Sequence, residues 1–282
     1  MKLPLNVDLK GKVVVVTGAG GVICSCLAKA ISLSGAKVAL LDLKKENAEV
    51  YAKEIRDEGG VAFSYGCNVL NKEELENVKK EINKDLGLID ILVNGAGGNN
   101  PKATTDNEYA ELDDDKKDIK TFFDLDEKGV EFVFNLNFIG TLLPSQVFSK
   151  DMVGRKGCSI LNISSMNAYT PLTKIPAYSG AKAAVSNFTS WLAVHFSHIG
   201  IRVNAIAPGF FSTAQNAKLL WNEDGTPTAR TGKILRATPM GRFGEVDELI
   251  GATLFLLSDE AASFISGITL PIDGGFSSYS GV

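Results

Sequence analysis

No stretch of this chain approaches the ~20 consecutive apolar residues that a helix needs to cross a bilayer. The N-terminus, MKLPLNVDLKGK, lacks the apolar centre of a secretory signal. The expected protein is therefore cytoplasmic, with no membrane partner. Positive charge is not in excess either: 29 Lys and Arg stand against 33 Asp and Glu, giving a formal charge of −4 and a pI near 5.4. That balance argues against nucleic acid or an anionic lipid surface as a main partner. Cysteine is sparse, and Cys24, Cys26, Cys67 and Cys158 form no Cys-x-x-Cys pair. A cytosolic chain keeps such thiols reduced, and their spacing to His195 and His198 fits no usual zinc pattern, so neither disulfide nor metal is expected. The cysteines read as small buried hydrophobes, and the two histidines as packing groups near the end of a long helix.

What is present is an alternation. With 45% hydrophobic and 22% charged residues the 282-residue chain has ordinary globular composition. Strand-like and helix-like segments follow one another without a linker, so residues 1–282 read as a single domain. VVVVT at 13–17 is the all-apolar run of a strand buried on both faces of a parallel sheet. A glycine turn at Gly18, Gly20 and Gly21 follows, then a helix to Ser34 with Gly35 as its stop. KVALLDL at 37–43 is the second strand and VAFSYGCNV at 61–69 the third, separated by a charged helix at 45–58. A second charged helix at 72–85 leads to the fourth strand, LIDILVNGAGG. Residues 98–129 form a polar insert with the run Asp113-Asp114-Asp115, read as solvated surface. One long helix over VEFVFNLNFIGTLLPSQVFSKDMV comes next. After a strand at 160–164 and a further helix, the sixth strand begins at 201, a polar segment spans 214–244, and a last helix at 246–257 precedes the final strand. The expected fold is α/β, a doubly wound parallel sheet of about seven strands with helices on both faces.

Two places carry chemistry. The glycine turn between first strand and first helix lets backbone approach a pyrophosphate and aims a helix N-terminus at it. Asp42, about 20 residues further on, is placed to bind ribose hydroxyls and repel a 2′-phosphate, which favours NAD over NADP. The second place is ILNISSMNAYTPLTKIPAYSGAK. A strand ends at Ser165, prolines 171 and 176 mark a loop, and Tyr178 and Lys182 lie one helical turn apart on the same side. A lysine ammonium there favours a tyrosinate and lowers the phenol's pKa. Tyr-x-x-x-Lys alone is a weak signal; joined to the strand-end serine and the glycine turn it is a pattern.

On TGAGG at 17–21, NGAG at 94–97, the Asn137 of NLNFIG, Ser165, YSGAK at 178–182 and PG at 208–209, the chain resembles the short-chain dehydrogenase/reductase family from Lys12 to about Gly275. The resemblance implies a catalytic tetrad of Asn137, Ser165, Tyr178 and Lys182, with Asn137 bending its helix and holding a water that leads to Lys182. It implies a cofactor site of Gly18, Gly20, Gly21, Val22, Ile23, Asp42, Asn68, Val69, Asn94, Ala96, Gly97, Tyr178, Lys182, Pro208, Gly209 and Phe211. It also implies a mobile lid over 214–244 and a homotetramer. The family usually writes TGxxxGxG, with glycines where this chain has Val22 and Cys24, so either Gly20 and Gly21 serve in a shifted turn or cofactor binding is altered.

The expected reaction is hydride transfer between a nicotinamide and a secondary alcohol or ketone. Asn99, Asn100, Lys102, Asn167, Lys174, Gln215 and Asn216 stand where substrate would border the site. They are amide-rich and partly cationic, as suits a sugar acid; solvated loops would have the same composition. TGAGGVIC, NGAGGNNPKATT, SSMNAYTPLTKIPAYS and GGFSSYSGV are together similar to the subgroup that interconverts D-fructuronate and D-mannonate. A gluconate 5-dehydrogenase-like enzyme, a 3-oxoacyl carrier-protein reductase and a non-catalytic dinucleotide sensor are the alternatives.

Overall fold

The computed structural model describes residues 7–213 and 220–281. Seven strands form one sheet: β1 Val13–Thr17, β2 Lys37–Asp42, β3 Val61–Gly66, β4 Ile91–Asn94, β5 Cys158–Ile163, β6 Ile201–Pro208 and β7 Thr269–Ile272. Their order is β3-β2-β1-β4-β5-β6-β7, and each neighbouring pair is parallel. The expected α/β sheet is therefore present, strand count included.

The apolar runs follow from two-sided burial. Successive strand side chains point to opposite faces. Val14, Val16, Val38, Leu40, Ile91 and Val93 pack with Leu27 and Ile31 of helix α1 (Val22–Leu33) and Ala52 and Ile55 of α2 (Lys45–Asp57). Val13, Val15, Ala39, Leu41 and Leu92 face the other way. There they meet Leu75 and Ile82 of α3 (Lys72–Asp85), Val147 and Phe148 of α5 (Gly140–Phe148), and Leu192 of α6 (Pro176–His195). A strand polar on one face could not sit in either layer. The strand order reverses at β1, which has β2 on one side and β4 on the other, and a crevice opens there at the carboxyl ends of the strands.

Four expectations need correction. The long helix near Asn137 is three pieces: α4 (Glu127–Phe134), a π turn (Asn135–Ile139) and α5. The cause is Asn137 itself, whose Nδ2 donates to the Val133 carbonyl at 2.7 Å and competes with the ladder. The acidic insert is not uniformly solvated. Asp114 is buried and accepts hydrogen bonds from Asn107 Nδ2 (2.7 Å), Glu111 N (2.8 Å) and Lys117 Nζ (3.2 Å). These hold its carboxyl below the usual range, the Glu111 amide first. Cys26 is not a buried filler: it is partly exposed, and its thiol donates to Asp247 at 3.3 Å. The helix expected to be last opens as a 3₁₀ turn (Val246–Leu249) before α8 (Ile250–Leu257), and a short helix, Asp259–Ala262, follows it. Among the described residues no helix is long and apolar enough to cross a membrane, and no cluster of His, Cys, Asp and Glu is able to hold a metal.

Asp90 ties the sheet's first strand to its centre. Its buried carboxylate accepts from the Val13 amide at 2.9 Å and from Arg155 Nη2 at 2.5 Å, just before β4 begins. Removing it strands a buried N–H and half of an ion pair. Asp90→Ala is expected to cost about 2–4 kcal/mol in urea unfolding with an unchanged m value. A loss under about 1 kcal/mol would mean solvent replaces both bonds.

Candidate active site

The glycine turn lies at the head of the crevice. Gly18 has φ +67, and a Cβ on it would stand 2.9 Å from the Ala96 backbone, so the turns after β1 and β4 touch through a glycine. Thr17 secures the approach: its hydroxyl accepts from the amides of Gly95 (3.0 Å) and Ala96 (3.2 Å). α1 then starts at Val22 with Gly21 as N-cap, no side-chain cap and no acidic residue in its first turn. α3, by contrast, is capped by Asn71 and carries Glu73 and Glu74 in its first turn. The N-terminus of α1 thus keeps its free amides and positive dipole end for an anion. Asp42 closes the other side, its Oδ2 accepting from the Gly20 amide at 3.1 Å and its Oδ1 from the Lys44 amide at 3.2 Å.

Val22 and Cys24 take over the two missing glycines without opening the turn. Cys24 packs under Gly95, where a Cβ would fall 2.1 Å from its sulfur. Close packing at this contact depends on Gly95 having no side chain. Burial pushes the Cys24 thiol up to about 12, so it stays protonated.

A cleft of about 630 Å³ follows, within the range of a cofactor site. Of the sequence-predicted cofactor residues, Gly18, Gly21, Val22, Ile23, Asp42, Asn68, Val69, Ala96, Gly97, Gly209 and Phe211 line it. Gly20, Asn94, Tyr178, Lys182 and Pro208 do not. Gly20 lies behind Asp42, and Asn94 is buried beneath the floor, donating to Ser145 Oγ and Asn162 Oδ1 at 2.9 Å each. Asn68 Oδ1 accepts from the Leu70 amide, which leaves its Nδ2 for a ligand.

Asn137 and Lys182 both reach the underside of Gly97, where a Cβ would meet Asn137 Oδ1 at 2.7 Å and Lys182 Nζ at 3.2 Å. Asn137 holds the Gly98 peptide by both ends, donating to its carbonyl (2.7 Å) and accepting from its amide (3.2 Å). Lys182 is buried, donates to the Ile163 carbonyl at 2.7 Å, and lies 5.7 Å over the Tyr178 ring centroid. Ser165 lies two residues beyond the end of β5 rather than at it, caps the 3₁₀ turn Met166–Ala168 by accepting from the Asn167 amide at 3.3 Å, and hydrogen-bonds Tyr178. The four predicted residues therefore converge. The electrostatics differ from the sequence reading. Burial raises the Tyr178 pKa, opposed by the Ser165 hydrogen bond, while burial lowers Lys182 to about 8. Burial thus works against the charged form of both groups.

A family model for the short chain dehydrogenases matches residues 12–224. The chain belongs to that family. This short chain dehydrogenase, an oxidoreductase, is 59% identical over 282 residues to an uncharacterized oxidoreductase of Haemophilus influenzae, covering 100% of this chain and 99% of the other. A crystal structure of a proposed D-mannonate oxidoreductase from the same genus, with bound NAD, has 58% identity, a TM-score of 0.95 and full coverage of both chains. The 5-keto-D-gluconate 5-reductase of Escherichia coli K12 is 33% identical over 95% of this chain and 96% of its own.

The substrate residues expected in this dehydrogenase scatter. Asn99 Nδ2 donates to Thr104 Oγ1 and Asn100 Oδ1 accepts from the Lys102 amide, so these three build their own turn. Asn167 is buried, with no hydrogen-bond partner for its Oδ1. Lys174, at φ +63, lines a second hollow. Gln215 and Asn216 lie outside the described residues. Leu136 and Phe210 line the cleft without having been expected there, and Arg230, Ile234 and Phe243, from the segment expected to cover the substrate, line it without having been singled out. Leu136 was legible in principle, as the neighbour of Asn137; the others come from segments whose placement no local pattern sets.

Lys182 carries a pH signature. Its folded value of about 8 lies below the ordinary 10.5, so between the two the unfolded chain holds a proton that the folded chain lacks. The group's contribution to stability is present above about 10.5 and is lost as pH falls towards 8, on the order of 3 kcal/mol. Lys182→Met is expected to flatten that rise in the urea midpoint with pH. The same slope in both proteins would assign the titration to another group.

Proposed function

We propose that this protein interconverts a sugar-acid ketone and its secondary alcohol, D-fructuronate and D-mannonate, with NAD. The observation that carries the reading is the convergence of Ser165, Tyr178 and Lys182 with Asn137 under Gly97, the floor of the cleft. The D-mannonate reading is supported by the similarity to the Haemophilus structure described above. The glycine turn, the free N-terminus of α1 and Asp42 suit a dinucleotide. When bound, the nicotinamide supplies or accepts the hydride.

This chain's residues handle the proton and the orientation. Ser165 directs the carbonyl towards Tyr178, whose hydroxyl donates the proton in reduction and takes it back in oxidation. A high phenol pKa suits donation to an oxygen that becomes basic as hydride arrives. Lys182, held by the Ile163 carbonyl, is set to meet cofactor hydroxyls. Asn137 fixes the Gly97–Gly98 segment. Asp42 favours NAD, because a 2′-phosphate would meet its carboxylate.

Purified protein is expected to oxidise NADH with D-fructuronate faster than with D-tagaturonate, 5-ketogluconate or an acetoacetyl thioester, and faster than it oxidises NADPH. Tyr178→Phe lowers kcat by about a hundredfold to ten-thousandfold while retaining NADH binding. NADH binding without turnover of any ketone would favour a sensor, and absence of binding would sink the enzyme reading.

The location is inferred to be cytoplasmic and the assembly a homotetramer. The outer face of α6 supports the latter, with Trp191 56% and Val194 77% exposed and Phe132 and Phe134 of α4 also open to solvent. Size exclusion is expected to give four times the 30.1 kDa of one chain. Elution as one chain would count against it.

A further inference from the structure

Beside the cleft lies a hollow of about 380 Å³ that no part of the cofactor site uses. Phe210, Arg230 and Ile234 line both spaces, so the two adjoin across these side chains. The hollow's far wall is the loop 172–175, which runs into α6 just ahead of Tyr178. Its apolar surfaces are Leu172, Ile175, Phe210 and Ile234. Its charged groups are three cations, Lys174, Arg230 and Lys233, against one carboxylate, Glu108. A space this unbalanced in a chain of net negative charge is built for an anion.

The cations are not equivalent. Lys233 is held by Glu108 at 2.6 Å, an ion pair that joins the acidic insert to helix α7 (Ala229–Ala237). Lys174 spends a donor on the Asp106 carbonyl, also at 2.6 Å. Arg230 has no hydrogen-bond or ion-pair partner among the described residues. It stands in the first turn of α7, where no acidic residue neutralises it. A guanidinium offers a planar pair of donors that matches a carboxylate by two parallel bonds.

We infer that Arg230 binds the carboxylate end of the substrate, with Lys174 adding positive charge beside it. This deepens the proposed sugar-acid reaction and rests on it. The ligand class is a polyhydroxy acid whose ketone meets Tyr178 and whose carboxylate reaches across Phe210 to Arg230. The acidic insert and the segment carrying α7 then act together on the ligand. Glu108 neutralises Lys233 and fixes α7, leaving Arg230 as the cation free for the carboxylate.

Two measurements test it. In steady-state kinetics, Arg230→Gln raises KM for D-fructuronate about tenfold to a hundredfold and moves kcat far less, and Arg230→Lys recovers part of the loss. NADH affinity, read by fluorescence, is unchanged. In the NADH complex of the wild-type protein, phenylglyoxal modification of Arg230 mapped by mass spectrometry is slowed by D-mannonate and not by D-mannitol, which differ at the carboxylate. Equal modification with the two ligands, or an unchanged KM in Arg230→Gln, overturns the inference. Weakened NADH binding with unchanged KM overturns it too and assigns Arg230 to a cofactor phosphate. If no sugar-acid ketone is turned over while D-mannonate still protects Arg230, the proposed reaction fails and the carboxylate site stands.

Discussion

A single side-chain amide holds the functional end of this molecule together. Asn137 donates to the carbonyls of Val133 and Gly98 and accepts from the Gly98 amide. The first bond opens a π turn in its own helix; the other two grip the segment that leaves β4. A helix and the central strand are thereby locked at the point where Gly97 passes over Lys182. A buried amide with unmet donors would cost a few kcal/mol, so the grip is maintained rather than incidental. The placement of Lys182, and through it the environment of Tyr178, depends on that arrangement.

The support continues below. Asn94 bridges Ser145 and Asn162, and Asn162 Nδ2 donates to Thr189 Oγ1 at 2.9 Å. Thr141 Oγ1 donates back to the Asn137 carbonyl at 2.8 Å. This chain of polar groups crosses from α5 through β4 and β5 to α6, inside a core that is otherwise apolar. Apolar packing alone tolerates small slips of a helix along a strand. Directional bonds between four elements do not, and a proton-handling site needs that register.

Much of this was readable from the chain. Two-sided burial writes itself as VVVVT and ILVN, the one-turn spacing of Tyr178 and Lys182 is a helical fact, and Gly18 is required by a backbone contact. Other features were not readable, for physical reasons. The π turn forms around a side chain that also grips a peptide 39 positions away in sequence, and no local pattern announces that partner. Asp114 looks like one of three solvated aspartates until the turn around it folds. Arg230 sits in a polar stretch with no periodicity, and only the tertiary position of α7 brings it to the cleft. Asn99, Asn100 and Lys102 were selected by their place after β4, yet the Asn99 and Asn100 side chains bond within their own turn, to Thr104 and to the Lys102 amide. The ammonium expected to acidify Tyr178 is itself buried, and burial raises the phenol instead.

The packing of Cys24 against Gly95 has a consequence for durability. A sulfur beside a cofactor cleft is ordinarily a target for oxidants and electrophiles, which attack the thiolate. Here the space cleared by Gly95 admits the whole thiol and shuts water out, so the reactive form is almost absent at neutral pH. At the floor of the cleft Cys24 thus serves as a packing group rather than a nucleophile.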